Sequence, residues 1–391
     1  MCPVPSGRIS VVGTSSSGQP STVLVCGPSP QAGGGGPAHI RNLWASPLSR
    51  SFRLEFLQTG SRGQESPAVD EPLIAAVLRL IASPFELAAR IASTRPAVVH
   101  INSATDKRGF MRDAVLLAVA KLFRRRVVYQ LHGWSIYRLT GRQGMRMLAR
   151  AVFRLPDAVV VLANVTVPQF KALGTVRRIE FVPNGVDVPA LTGEVPREHS
   201  GRVQRLGYLG RLVDSKGIKE AIDAVAILRA DPGFEALELW IAGSGDARRL
   251  LEDHASLRGV GSAVRFVGTV SGEAKLSFLR DTDILILISP SEGMPYSILE
   301  AMATGTPVVA SAVGGIVDVV RDGIDGRIVP PQDAEALAAV LRELDADPAV
   351  VRAMSAAAAA RISEDFSLER LAGRFGSIYR SLGAHSTDRI S

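Results

Sequence analysis

Short apolar runs alternate with helical patterns along the first half of the chain. Residues 21–26 read as a strand running into the loop 27–36. Residues 97–102, 127–131 and 158–162 read as further buried strands, with helix-like segments such as 112–123 between them. Strands that alternate with helices predict a parallel sheet covered on both faces. Residues 187–202 break the pattern. They are polar and contain Pro189 and Pro196, so they read as a linker. The alternation then restarts, with strands expected at 206–209, 237–242, 264–267, 283–289 and 307–310. The last helices are periodic. Leu337, Val340, Leu341 and Leu344 follow i, i+3, i+4, i+7, and Leu368, Leu371, Phe375, Ile378, Tyr379 and Leu382 continue one apolar stripe.

The expected organisation is a disordered tail at 1–20, an α/β domain at 21–186, a linker at 187–202, and a second doubly wound domain at 203–365. A C-terminal helix in 366–391 is expected to pack back towards the first domain. Two such domains facing each other leave a cleft at the carboxyl ends of their strands. Ligands of open α/β sheets bind there, so function should reside in the loops that follow strands.

Composition narrows the classes. The chain has 391 residues, 46% apolar and 21% charged, enough for more than one core and too apolar for long-range disorder. The first twenty residues are rich in Ser, Gly and Pro and lack the continuous apolar core of a secretory signal. Two cysteines, Cys2 and Cys26, make neither a disulfide framework nor a zinc site, and suit the cytosol. No apolar run approaches the roughly 20 residues that span a bilayer. Charge is uneven. Residues 1–186 hold 23 Lys+Arg against 9 Asp+Glu, and the remainder holds 22 against 29. The basic half implies an anionic partner. Only 5% aromatic residues, with no aromatic-basic interleaving, count against nucleic acid.

Candidate chemistry concentrates in residues 289–307, SPSEGMPYSILEAMATGTP. An apolar strand ends there, a Gly/Pro loop follows, a helix starts near Pro295, and Gly305 stops it. Such a strand-loop-helix aims backbone N–H groups at an anion or at sugar hydroxyls. Glu292 in the loop and Glu300 in the helix are placed to accept hydrogen bonds from a polyol. Spacing alone leaves open that they are a plain loop residue and a solvated helix residue.

The E-x7-E pair Glu292 and Glu300, inside SEGMPYSILEAMATGTPVVAS, resembles the signature of retaining glycosyltransferases of family 4. Other segments join it in order. His132-Gly133 is similar to that family's HG pair, and Val182-Pro183-Asn184-Gly185-Val186-Asp187 to its VPNGVD junction. Gly210-Arg211-Leu212 with Lys216-Gly217 resembles its GR-x(n)-KG segment, and Ile241-Ala242-Gly243-Ser244-Gly245 its base-side glycine loop. The likeness covers about residues 20 to 382 and is strongest from 180 to 330.

The resemblance implies the GT-B fold, an α/β architecture of two Rossmann-like doubly wound domains facing across a cleft. The N-terminal domain would take the acceptor and the C-terminal domain a nucleotide-diphosphate sugar. Arg211 and Lys216 would cradle the diphosphate, where fixed cations stabilise charge that grows on the leaving phosphate. Glu300 would hold ribose hydroxyls, and Glu292 hydroxyls of the transferred sugar. The backbone of Gly293, Met294, Pro295 and Tyr296 would line the sugar and phosphate pocket, Gly243 would border the base, and His132 would approach the sugar. Asn184 belongs to the expected donor-binding set, and so do Gly34 and Gly35 in the run Gly33–Gly36. That run is not G-x-G-x-x-G with an acidic residue about 20 positions on, which argues against a nicotinamide site.

The resemblance also implies no cofactor and no metal. Asp281-Thr282-Asp283 matches a metal-binding D-x-D pattern, but it sits where a strand is entered, not where it ends. The implied reaction is hexosyl transfer, with retention and front-face attack, to a glycan or lipid-linked acceptor in cell-envelope or exopolysaccharide synthesis. A nucleotide-sugar epimerase or hydrolase, or a non-catalytic homologue that binds the nucleotide sugar, is the alternative.

For the acceptor side, Arg138, Arg142, Arg146, Arg150 and Arg154 recur every four residues. Gly141 and Gly144 weaken the start of a helix there. Residues 145–155 suit one, with Met145, Leu148, Val152 and Leu155 on its apolar side. With Arg124-Arg125-Arg126, this pattern suits either peripheral contact with anionic lipid at the inner face of the membrane or an ordinary solvated face. Asp106, Lys107, Arg108 and Arg112 follow a strand and are candidates to meet a phosphate on the acceptor.

Overall fold

A computed structural model describes residues 19–59, 73–103, 107–133, 143–192 and 203–387. Residues 1–18 of the expected tail at 1–20, Asp106, Arg138, Gly141, Arg142 and residues 193–202 of the linker lie outside the described residues, as do the side chains of Lys107 and Arg108.

The chain forms two compact units. The first holds a six-stranded parallel sheet: β1 (Thr22–Gly27), β2 (Arg53–Gln58), β3 (Val98–Ser103), β4 (Arg126–Leu131), β5 (Ala158–Val161) and β6 (Ile179–Phe181), in the order β2-β1-β3-β4-β5-β6. The second holds another: β7 (Arg205–Leu209), β8 (Glu238–Ala242), β9 (Val264–Gly268), β10 (Ile284–Leu287), β11 (Val308–Ser311) and β12 (Arg327–Val329), in the order β12-β11-β10-β7-β8-β9. In each sheet the winding reverses beside the first strand. The crevices therefore open between the loops after β1 and β3, and between those after β7 and β10.

Both faces of the first sheet are covered because both are apolar. Val99, Ile101, Val127, Tyr129 and Val161 face one helical layer, made by Leu73–Thr94, Lys107–Leu122 and Gln143–Val152. Val23, Val25, Val98, Val128 and Val160 face the other. That second layer includes Gly35–Ala45 and the C-terminal helix Leu368–Ser381, which belongs to the first unit although the chain has passed through the second. Its stripe Leu368, Leu371, Phe375, Ile378 and Tyr379 is buried, at about 2 kcal/mol per side chain. Tyr379 also reaches a polar anchor. Its hydroxyl lies 2.7 Å from Nδ1 of the buried His100, whose Nε2 lies 2.9 Å from Gln130 Oε1. In the second unit, Leu337, Leu341 and Leu344 of helix Ala334–Ala346 are buried, and Asp333 caps that helix by accepting from Ala336 N.

Burial pushes His100 down to about 3 and His132 down to about 4, from 6.5. The unfolded chain thus takes up two protons near pH 6.5 that the folded unit refuses until the pH is far lower. The contribution of both neutral rings to stability is complete above pH 6.5. It is lost as the pH falls towards 4, at about 1.4 kcal/mol per pH unit for each ring. Hydrogen exchange of β1 and β3 amides at pH 7 and pH 5 checks this. Protection should fall in the wild type and fall less in His100→Gln.

Candidate functional site

At the end of β10 the chain turns through residues 288–295 into helix Tyr296–Ala303. Pro295 stands at the N-cap with φ −73° and ψ 128°, one residue before the helix proper. Glu292 is 9% exposed. Its Oε1 accepts from Ser289 Oγ at 2.8 Å and from Lys216 Nζ at 2.6 Å. Glu300, one turn into the helix, accepts at Oε1 from Lys275 Nζ at 2.7 Å. Lys275 comes from helix Gly272–Asp281. Each carboxylate thus has one oxygen clamped by a lysine. The other, Oε2, takes no hydrogen bond from the described residues. A carboxylate has about four lone-pair sites, so each can still accept hydroxyls.

The loop that carries Glu292 is braced by the turn after β11. Gly315 N donates to Gly293 O at 2.5 Å. A Cβ on Gly314 would lie 1.8 Å from Glu292 O, so the turn meets the loop backbone to backbone. Asn184 supports the same loop from another side. Its backbone N lies 3.2 Å from Met294 Sδ, and its Nδ2 donates to Met294 O at 2.9 Å. Asn184 is buried, so its amide nitrogen serves the loop.

The loop after β7 brings the cations. Lys216 ends a short 3-10 turn and reaches Glu292, whereas Arg211 is exposed and makes no ion pair among the described residues. Tyr208 fixes the backbone between them by donating to Arg211 O at 2.9 Å. Burial, and secondarily the Glu292 carboxylate, push its phenol well above the ordinary range, so it stays a donor. Gly243, after β8, lies against this loop. A Cβ there would sit 1.8 Å from Gly210 O, at φ 145°. Gly210 N donates to Ala242 O and Leu212 N to Ser244 O, which ties the loops after β7 and β8 together.

In the first unit, His132 follows β4. Asn102, at the end of β3, lies between it and β1. Asn102 Nδ2 donates to Cys26 O at 3.3 Å, which leaves Oδ1 to face His132 Nε2 at 2.9 Å. Oδ1 only accepts, so Nε2 carries the proton and the neutral ring presents Nδ1 as an acceptor. Gly34 caps helix Gly35–Ala45 with φ 102°, and a Cβ on Gly33, Gly34 or Gly35 would meet nothing within 4 Å. The space before this helix is open to a ligand's approach.

Asp281 ends helix Gly272–Asp281, and Asp283 precedes β10. Asp283 Oδ2 accepts from Gln204 N and Arg205 N, and Asp281 Oδ2 from Ser277 Oγ. The Asp283 carboxylate serves entry into the strand, and the Asp281 carboxylate bonds within its own helix. Arg112 Nε donates to Asp113 Oδ1 at 2.7 Å, beside it in the same helix. Sequence reasoning missed Ser289, Lys275, Tyr208, Asn102 and the Gly314-Gly315 turn. Only the glycine pair, directly after a buried strand, carried a local signal.

Two family models match successive stretches of the chain. A model described as glycosyl transferases group 1 matches residues 197–361, and one described as glycosyltransferase family 4 matches residues 34–189. A GDP-mannose-dependent monoacylated alpha-(1-6)-phosphatidylinositol monomannoside mannosyltransferase from Corynebacterium glutamicum is 30% identical over 272 residues, 64% of this chain and 67% of that protein. The chain belongs to the GT-B glycosyltransferases. This family member is also 35% identical over 202 residues to a glycogen synthase of Mycobacterium tuberculosis, which covers 51% of this chain and 48% of that protein. It thus spans about half the length of that relative. HepE of Anabaena, solved with UDP-glucose, superposes with a TM-score of 0.72 at 18% identity over 92% of this chain and 100% of HepE. That likeness speaks for the fold: two parallel-sheet α/β domains.

Proposed function

We propose that this chain is a family 4 hexosyltransferase that moves a sugar from a nucleotide-diphosphate donor to a glycan or lipid-linked acceptor with retention. The observation that carries the reading is the pair of carboxylates Glu292 and Glu300 at the head of one helix, each clamped by a lysine at one oxygen and open at the other. Glu300 accepts ribose hydroxyls and Glu292 hydroxyls of the transferred sugar. Arg211 and Lys216 take the diphosphate, with Lys216 shared between phosphate and Glu292. The amides from Gly293 to Tyr296 add donors at a helix start. His132 offers Nδ1 to a sugar hydroxyl. As the anomeric carbon–phosphate oxygen bond breaks, the acceptor oxygen bonds the same face of that carbon, and its proton passes to the leaving phosphate. The cations stabilise the charge that grows there.

The reaction needs no divalent metal in this reading, because the carboxylates of Asp281 and Asp283 are engaged by their own neighbours. Among the described residues no helix is long and apolar enough to cross a membrane. We place the protein in the cytoplasm, working peripherally at the anionic inner face of the cell membrane, in envelope or exopolysaccharide synthesis. The test is transfer from a panel of nucleotide sugars to a membrane-lipid and glycan acceptor pool, with and without EDTA, the product's anomeric configuration being read by NMR. An α-linked product from an α-linked donor, formed in EDTA, is the expected result. Donor turnover without any acceptor would mean a hydrolase or epimerase, and full loss in EDTA with rescue by Mg²⁺ would restore the metal.

A further inference from the structure

The first unit's two helical layers differ in what they show to solvent. Its described exposed large hydrophobic residues all lie on one layer or, as Phe123 and Leu155, in the turns that follow two of its helices. Ile81 and Phe85 sit on helix Leu73–Thr94, Met111, Val115 and Leu122 on helix Lys107–Leu122, and Met147 on helix Gln143–Val152. The opposite layer, with Gly35–Ala45 and Leu368–Ser381, has none among the described residues. These are not grazing exposures. Phe85 is 72% exposed, Leu122 80% and Met147 67%. Nor are they scattered. Met111, Val115, Ala118 and Leu122 are exposed at i, i+4, i+7 and i+11, an apolar stripe on the side of the helix away from its core contacts Leu116, Leu117 and Ala120. The three helices share one core cluster on one face of the sheet, so the exposed side chains share one outer surface.

The charge on that surface is mainly positive, with Glu86 on helix Leu73–Thr94 the one exposed carboxylate of this layer among the described residues. Arg124, Arg146, Arg150 and Arg154 are exposed, and none makes an ion pair among the described residues. Two carboxylates of this layer are committed inward, Asp113 being buried with Arg112 and Asp157 held by Lys121 and Arg126. An occupant must accept several bulky apolar side chains and supply negative charge. A second copy of the chain fails on the second count, because a two-fold contact would set unpaired arginines against themselves. An anionic bilayer surface meets both demands: phosphate headgroups outside, hydrocarbon directly beneath.

We infer that the outer surface of the layer Leu73–Thr94, Lys107–Leu122 and Gln143–Val152 is a membrane-docking face. It inserts Phe85, Leu122 and Met147 into anionic lipid while Arg124, Arg146, Arg150 and Arg154 bind headgroups. The inference rests on the proposal of a membrane-associated acceptor and names the surface that reaches it. It extends the basic spacing seen in the sequence to an apolar stripe on two further helices. Docking by apolar insertion leaves a salt-resistant component that charge attraction alone lacks, since screening sets in at about 8 Å near physiological ionic strength.

The test is co-sedimentation of the full chain with vesicles of phosphatidylcholine, alone or with phosphatidylglycerol, at low and high salt. The wild type should pellet with the anionic vesicles and keep part of that binding at high salt. Phe85→Asn with Leu122→Asn should lose the salt-resistant part, roughly tenfold in partition for each side chain removed. Arg146→Glu with Arg150→Glu should lose the dependence on phosphatidylglycerol. Leu257→Asn, 84% exposed on the second unit, should behave as wild type. Melting temperatures with nucleotide sugars, taken on the same samples, separate failure of docking from failure of the transferase reading. The inference is overturned if the wild type stays in the supernatant at low salt, or if the asparagine pair binds as the wild type does. It is equally overturned if the chain is a dimer that the asparagine pair makes monomeric.

Discussion

Lys216→Ala should lower kcat by roughly 10²–10³-fold. Two effects separate this lysine from Arg211. Its ammonium is one of the cations assigned to the diphosphate, where charge grows as the glycosidic bond breaks. It is also the 2.6 Å partner of Glu292, which is 9% exposed. Removing it leaves a nearly buried carboxylate without its cation, a loss of about 3 kcal/mol in stability. Arg211→Ala should cost a similar factor in rate with almost no change in melting temperature, because the guanidinium is exposed and without an ion pair among the described residues. The double variant Lys216→Ala with Glu292→Gln separates the two effects. Glutamine removes the orphaned charge, so stability should return while kcat stays low. Wild-type turnover of both single variants at saturating donor would remove the diphosphate role.

Gly314→Ala should damage the same loop without touching a charged group. The added Cβ would stand 1.8 Å from Glu292 O, at φ 55°, and the obstacle is backbone, which cannot rotate away. Overpacking and left-handed strain together should cost about 3 kcal/mol, and the loop carrying Glu292 must shift to relieve them. Donor affinity and kcat should therefore fall together. Gly323→Ala is the contrast. Its φ of 73° brings strain, but a Cβ there meets nothing within 4 Å, so the loss should be confined to stability. Thermal melts with and without donor distinguish the two. Wild-type melting and turnover in Gly314→Ala would mean that the turn after β11 does not brace the site.

The central strands were legible because both of their faces are buried and their residues are continuously apolar. The three strands that sequence reading missed are β2, β6 and β12, and each is a sheet edge. β2 reads RLEFLQ with only one buried residue, and β6 and β12 have three residues each. An edge strand has one neighbour and a half-wet face, so its apolar signal is diluted. The site divides in the same way. Glu292, Glu300, Arg211 and Lys216 stood out because they fall in ordered motifs that resemble a known family, in strand-end loops and a helix start; placement alone left a plain structural reading open. Lys275 did not, since its partner Glu300 lies 25 positions away and nothing local marks a helix lysine as a clamp. Asn102 was equally silent. Its role depends on three strand ends, those of β1, β3 and β4, meeting side by side. Long-range pairing of this kind belongs to topology, not to any window of sequence.

The most direct measurement is calorimetric titration of the full chain with UDP-, GDP-, ADP- and dTDP-sugars, repeated on Lys216→Ala and Glu300→Ala. The wild type should bind at least one donor saturably. Loss of the Glu300 carboxylate or the Lys216 ammonium should weaken that binding by about tenfold or more, since a hydrogen bond to a charged group contributes about 1.5–3 kcal/mol. Binding of no nucleotide sugar at millimolar concentration, or unchanged affinity in both variants, would contradict the transferase reading.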